Sequence, residues 1–333
     1  MKQHKILAIE TSCDETSMAI IENGHTCLAL TVLTQMATHA QFGGVVPEIA
    51  SRMHTENITL VLADVLAQAK IKPQEIDAIA VTSSPGLLGS LLVGVETAKT
   101  LSYIWQKPLI AVNHLMGHIY ANNLDQQMVF PLLALIVSGG HTQLMIMQDD
   151  YQYEIIGQTQ DDAIGEAFDK VARILDLPYP GGPNIEQLAS TGQPSYKLAI
   201  ANCTGPYDFS YSGLKSQVVN LVHNEKQKSL TINKADLACS FQRAAIEQVI
   251  KQVKKAIIDY QIQNMIVAGG VAANKLLRAE ITALATEKQV NLLIPPLKYC
   301  TDNAAMIGAA AYPLYLKKDF ADLSLNADSQ GNI

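Results

Sequence analysis

Apolar positions fall into short runs set apart by polar punctuation, and the runs alternate between strand and helix periods. The run ILAI at 6–9, the polar stretch TSCDETS and the apolar run at 18–21 predict a strand, a tight turn and a second strand. Asn23-Gly24 is a further hairpin signal, with a third strand over 26–33. Between 47 and 69, Ile49, Met53, Ile58, Val61, Leu62 and Val65 approximate helical spacing. A buried strand over 78–82 runs through Ser83-Ser84-Pro85-Gly86 into an apolar helix over 87–104. A strand over 108–112 then precedes a helix that carries His114 and His118.

A second series begins at Leu132. ILAIETSCDETSMAII (6–21) lies without a gap on LLALIVSGGHTQLMIM (132–147). Leu7/Leu133, Ala8/Ala134, Ser12/Ser138, Thr16/Thr142 and Ile20/Ile146 are identical, and the polar turn falls at the same place in both. Either these are two unrelated hairpins whose apolar strands happen to look alike, or the chain is internally duplicated. Further on, the pattern predicts a helix over 169–175 stopped by Pro178, and a helix start at Pro180-Gly181-Gly182-Pro183. A long amphipathic helix follows over 234–260, with Phe241, Ala245, Ile246, Val249, Ile250, Val253 and Ile257 on its apolar side. A strand over 265–268 ends in Gly269-Gly270, and a helix starts near Ala273. A last strand at 291–294 and a small-residue helix over 300–312 precede a polar end, expected to be loose from Asp319. The class is α/β, with mixed sheets flanked by helices.

Composition narrows the functions. With 333 residues, two domains are expected at roughly 150 residues each. The 48% hydrophobic content excludes disorder, and the Gly and Pro contents exclude collagen-like and solenoid chains. The 24 Lys+Arg against 31 Asp+Glu leave a net charge of −7, which excludes a strongly basic nucleic-acid binder. Polar residues interrupt every apolar stretch well short of the ~20 that a spanning helix needs, and the first is too short for a signal peptide. Five cysteines with no C-x-x-C argue against disulfides and thiolate zinc. The expectation is a cytoplasmic protein with no membrane attachment.

His114 and His118 are four apart, which on a helix places both imidazoles on one face. They are either two metal ligands or one core and one exposed histidine. The glutamate of an H-E-x-x-H peptidase helix is missing, since Leu115 follows the first histidine. Asp302 is the candidate third ligand, projecting from a strand end; its alternative role is a helix N-cap. Two histidines and a carboxylate suit Fe(II), and zinc is also compatible. The glycines of Ser138-Gly139-Gly140-His141, Pro180–Pro183 and Gly269-Gly270 let backbone N–H groups approach phosphate. Asp169 and Glu186 either hold ribose hydroxyls or sit solvated on a helix, and Asn274 either reads an adenine edge or caps a helix.

The ordered segments IETSCDETS, SSPGLLGSLLVG, NHLMGH, LIVSGGHT, GEAFDKVARILDLPYPGGP, FSYSGLK, VAGGVAAN and YCTDNAAMIG closely resemble the bacterial TsaD family. These are tRNA N6-adenosine threonylcarbamoyltransferases, formerly labelled O-sialoglycoprotein endopeptidases. The match runs from about Lys5 to Tyr315. The resemblance implies two duplicated actin-like ATPase domains of the sugar kinase/Hsp70 type, at 1–125 and 126–315, with a polar tail at 316–333. It implies transfer of threonylcarbamoyl from threonylcarbamoyl-AMP to N6 of adenosine 37 in tRNAs reading ANN codons, with release of AMP. It places a divalent metal, Fe(2+) favoured over Zn(2+), on His114, His118 and Asp302. Adenylate contacts fall on Val137, Ser138, Gly139, Gly140, His141, Asp169, Gly182 and Asn274, with Glu186 as a further ribose contact. Asp14 and Glu15 are candidates to take the N6 proton. The inactive paralogue TsaB and the ATPase TsaE are the implied partners, and a TsaC-type enzyme makes the substrate. Met116 departs from the acidic residue common in the NHLEGH motif, which changes the polarity behind the metal site without removing a ligand. The competing readings are a metallopeptidase, an ATP-binding scaffold of the same fold and a small-molecule kinase, which would need Mg²⁺ on carboxylates.

The charge adds a further expectation. Lys251, Lys254 and Lys255, or Lys317 and Lys318, are only small basic groups, so the isolated chain should bind tRNA poorly and rely on partners for positive surface.

Overall fold

The computed structural model describes residues 3–228 and 231–331. The chain divides into one unit of Met1–Met128 with Pro295–Ile333, and a second of Val129–Ile294.

In the first unit, β1 (Lys5–Glu10), β2 (Glu15–Glu22) and β3 (Thr26–Thr34) form an antiparallel meander. A short helix, α1 (Met36–Ala40), leads to α2 (Pro47–Ala69). Proline at the first turn of α2 needs no N–H partner, and Lys70 with φ 54 ends the helix in the left-handed region, so its bounds match the spacing-based expectation. β4 (Ala78–Ser84), α3 (Leu88–Trp105), β5 (Leu109–Asn113) and α4 (His114–Tyr120) follow. The sheet order is β3-β2-β1-β4-β5, with β1, β4 and β5 parallel. Side chains alternate across β1. Leu7 and Ile9 join Val61 and Val65 of α2 and Val95 and Ala98 of α3 in a buried core.

The second unit opens with the meander β6 (Leu132–Val137), β7 (Thr142–Asp149) and β8 (Gln152–Gln158). Helices α5 (Ile164–Ile174), α6 (Gly181–Ala189), α7 (Ser212–Gln227) and α8 (Lys234–Asp259) come next. β9 (Asn264–Ala268), α9 (Lys275–Lys288) and β10 (Asn291–Leu293) complete it. The order β10-β9-β6-β7-β8 is the first sheet read from its other end, strand for strand. Ile6 pairs with Ile21 and Leu132 with Met147; Ile9 pairs with Met18 and Leu135 with Leu144. The ungapped alignment places these pairs in the same register, so the duplication extends to topology and pairing. α5 starts at Ile164 rather than Asp169, because Thr142 Oγ1 accepts the Ile164 N–H at 2.9 Å and supplies a start that its own sequence does not announce.

The last helix, α10 (Ala304–Lys317), returns to the first unit. It begins after the expected 300, since Asn303 is its N-cap and accepts from Met306 N at 3.1 Å. The Ala304 N–H donates to Ser17 Oγ of β2 at 2.9 Å. A Cβ on Gly308 would collide with Ile21, so the small residues AAMIGAAA let the helix lie close on β1 and β2. Residues 295–315, expected in the second domain, therefore belong to the first. The tail from Asp319 is also not loose. Ala321 N donates to Leu109 O and Asp328 N to Ser83 O, both at 2.9 Å, and Ala321, Leu325 and Ala327 pack on the core. Three small apolar residues dispersed among polar ones are enough to hold it. The final two residues of the expected tail lie outside the described residues. No described helix is long and apolar enough to cross a membrane.

Candidate metal centre

α4 is short, and its placement depends on Asn113 at the end of β5. The Asn113 side chain accepts from Leu115 N at 2.8 Å and Met116 N at 3.4 Å, which starts the helix directly at His114. One turn later His118 falls on the same face, and the two rings meet edge to face with centroids 4.7 Å apart. A Cβ on Gly117 would press on Ile307 of α10 at 2.6 Å, so glycine there lets α4 and α10 approach. Met116 is buried.

Asp302 stands just ahead of α10. The alternative role assigned to it, the N-cap, is filled by Asn303, whose amide also donates to Thr301 O at 2.7 Å. That leaves the Asp302 carboxylate free to turn towards α4. Its Oδ1 lies 3.4 Å from His114 Nε2 and 3.2 Å from His118 Nε2. It does not project from β10, as expected, because the Pro295-Pro296 segment and a 3₁₀ turn at Leu297–Tyr299 intervene. One ligand atom from each of His114, His118 and Asp302 lies within 4.8 Å of the others, and the group can hold a metal ion. Two imidazole nitrogens and one carboxylate oxygen fit Fe(II) or zinc.

The electrostatics are those of a cation site. Burial resists ionisation of Asp302, but the charge of His114 and the hydrogen bonds from both histidines outweigh it and hold the carboxyl well below its usual range. Burial also opposes a proton on His114, yet the Asp302 and Glu10 carboxylates raise it well above the ordinary histidine value. Glu15 is pushed up to about 10 by burial and then by the charges of Asp302 and Asp14. Burial, and after it the charge of Asp14, raises the Cys13 thiol. None of the five cysteines is joined in a disulfide.

Glu10 escaped the reading of the sequence. It is fully buried at the end of β1, with Oε2 3.1 Å from His114 Nδ1. One signal was present: a lone carboxylate closes the apolar run Ile6–Ile9, whose duplicate continues with Ile136 there.

The remaining candidates are in the second unit and fall into two groups. At the β6–β7 turn, Ser138 N donates to His141 O at 2.8 Å, and a Cβ on Gly139 or Gly140 would meet nothing within 4 Å. Gly269, with φ +95, abuts Val137 O, and a Cβ on Gly165 would meet Ser138 O at 2.6 Å, so both glycines are required by this turn. In the second group, Asp169 accepts from Gly181 N at 2.7 Å at the start of α6. Burial raises its carboxyl above the usual value despite that bond. Glu186 accepts from Lys275 N at 2.8 Å, and Asn274 caps α9 through Leu277 N at 3.1 Å while donating to Gln242. Glu186, Gln242 and Lys275 line a cavity of about 740 Å³. Gly182 has open space around it.

Comparison with known proteins follows the same lines. Residues 26–309 match the family model described as TsaD, tRNA N6-adenosine threonylcarbamoyltransferase. The chain is 51% identical to proteins of that name from Staphylococcus aureus strains Mu3 and JH9, over 97% of this chain and 95% of theirs. By structure it resembles component A of (R)-2-hydroxyglutaryl-CoA dehydratase from Acidaminococcus fermentans (TM-score 0.53, 16% identity, 95% of this chain and 99% of that one). It also resembles T. kodakarensis HypF (TM-score 0.61, 14% identity, 97% of this chain and 49% of that one). These structural likenesses establish the actin-like ATPase fold.

Proposed function

This chain belongs to the TsaD family of tRNA-modifying transferases, and from that premise we propose that it transfers threonylcarbamoyl from threonylcarbamoyl-AMP to N6 of adenosine 37 in tRNAs reading ANN codons. The observation that carries the metal-dependent form of this reading is the convergence of His114, His118 and Asp302 on one point. In the reaction N6 attacks the carbamoyl carbon. A C–N bond forms, the C–O bond to phosphate breaks, AMP leaves with the electron pair, and N6 gives up a proton. When bound, the divalent metal, Fe(2+) in preference to Zn(2+), supplies a Lewis acid that polarises the ligand.

The side chains and backbone divide the remaining work. The open N–H groups of Gly139 and Gly140, between Val137, Ser138 and His141, suit phosphate oxygens. Gly182 in the first turn of α6, with open space where a Cβ would stand, leaves room for the ligand beside Asp169. Glu186 and Gln242 line the cavity beside α9 for the nucleoside, and Asn274 donates to Gln242 from behind it. Adenosine N6 is a poor nucleophile, so orientation by these groups supplies much of the acceleration. Asp14 and Glu15 in the first turn are the candidates to take the N6 proton. With a net charge of −7, the chain relies on TsaB and TsaE for tRNA capture, uses substrate from a TsaC-type enzyme, and works in the cytoplasm.

The test is reconstitution of purified chain, partners, tRNA, threonylcarbamoyl-AMP and Fe(2+) under anaerobic conditions, scored by modified adenosine. Transfer is expected, and loss of transfer in His114→Ala. Wild-type activity in a His114→Ala/His118→Ala double variant refutes the metal assignment.

A further inference from the structure

Burying a carboxylate costs several kcal/mol unless donors surround it, and Glu10 is fully buried. The duplicated sheet shows that the fold does not require one there. Ile9 pairs with Val81 in the first sheet and Leu135 with Val267 in the second. The next positions are Glu10 and Thr82 in the first unit, and Ile136 and Ala268 in the second, all fully buried. An aliphatic residue and an alanine thus fill the same place at the same depth.

Glu10 differs in what it grips. Its Oε1 accepts from Ser12 N at 2.5 Å and its Oε2 from Thr82 Oγ1 at 2.6 Å. Both oxygens therefore already serve as acceptors when Oε2 meets His114 Nδ1 at 3.1 Å. A nitrogen facing such an oxygen makes a bond only by carrying the proton, and the Ser12 hydroxyl, whose Oγ lies 3.1 Å from the same nitrogen, can accept from it as well. The neutral ring then has its lone pair on Nε2, the atom 3.4 Å from Asp302 Oδ1. His118 has no such brace: its Nδ1 is buried without a hydrogen-bond partner.

We propose that Glu10 is a positioning residue that fixes His114 with its proton on Nδ1, aiming the Nε2 lone pair at the cation shared with His118 and Asp302. Thr82 and Ser12 hold Glu10 in place for this. The proposal rests on the metal reading above and adds to it a cause for the buried acid. Removing a partner behind a ligating histidine weakens metal binding by roughly 10–100-fold.

The test measures Zn²⁺ affinity by competition with a fluorescent chelator and histidine tautomers by ¹⁵N-resolved NMR. Wild type, Glu10→Gln, Thr82→Val and His114→Ala are compared. Gln keeps the size of Glu10 but offers one acceptor oxygen where three donors converge. The expected result is a roughly 10–100-fold weaker Zn²⁺ affinity in Glu10→Gln, with changed His114 ring signals and unchanged His118 signals. Thr82→Val, which leaves Glu10 in place, is expected to show the same change to a smaller degree and serves if Glu10→Gln does not fold. If His114→Ala loses Zn²⁺ while the Glu10→Gln and Thr82→Val proteins that fold bind within twofold of wild type with unaltered His114 signals, the positioning role is overturned and the metal site stands. If His114→Ala binds Zn²⁺ as wild type does, the metal site falls, and the role of Glu10 with it.

Discussion

The two hairpins that open the two units share a register and almost nothing of their chemistry. In the first, β1 ends in Glu10 and the turn carries Cys13, Asp14 and Glu15; in the second, β6 passes through Ile136 to Ser138, Gly139, Gly140 and His141. In the first unit the Glu10 and Asp302 carboxylates meet the histidine pair, an arrangement that attracts a cation. The second turn has two exposed glycines with open space where side chains would stand, which leaves room for an anion at the backbone. One supersecondary unit can carry either polarity because the strands supply position and the turn supplies charge.

Exchanging the two polarities is the most severe test of that contrast. Ile136→Glu places a carboxylate where its neighbour is Ala268 and no arranged donors replace Ser12 N and Thr82 Oγ1. A loss of about 3–5 kcal/mol or more is expected in denaturant unfolding. The metal side is broken by the His114→Ala/His118→Ala double variant. Its transfer rate should fall by roughly 10²–10⁴-fold, as removal of several kcal/mol of Lewis-acid stabilisation implies, while its unfolding midpoint moves far less.

Gly269→Ala probes the wall of the anion turn. With φ +95 and Val137 O against the new Cβ, it should cost about 1–3 kcal/mol by the same unfolding measurement. The cation site also predicts a pH dependence. The pKa of His114 is raised, and the residue must shed its proton to bind a metal, so metal affinity falls as pH is lowered through that raised value, by up to about tenfold per unit. Chelator competition across pH reads this directly. The smallest stability effect is expected from Gly139→Ala, where a Cβ meets open space: within about 0.5 kcal/mol of wild type. If Gly139 holds phosphate, the KM for threonylcarbamoyl-AMP rises although stability does not change.

Some of this was legible in the linear pattern because local rules decided it. The bounds of α2 follow from Pro47 and the helical spacing of its apolar residues. The pairing of both hairpins follows from aligning one segment on the other. His114 and His118 share a face because they are four apart on a helix. Other features depend on partners distant in sequence. The start of α5 depends on Thr142, and the tail is held by Leu109 and Ser83. The bracing partners of Asp169, Glu186 and Asn274, namely Gly181, Lys275 and Leu277, also lie at positions that no local spacing announces.

The sequence by itself determined the α/β alternation, the duplicated hairpins, the histidine pair and the family, since each is written in short-range spacing or in ordered motifs. Only the tertiary structure decided that Asp302, far along the chain, reaches the histidines, that Asn303 and not Asp302 caps α10, and that Glu10 is a buried anchor for His114. Those outcomes turn on which oxygen meets which nitrogen after a sheet and two helices have packed, and no local period records that.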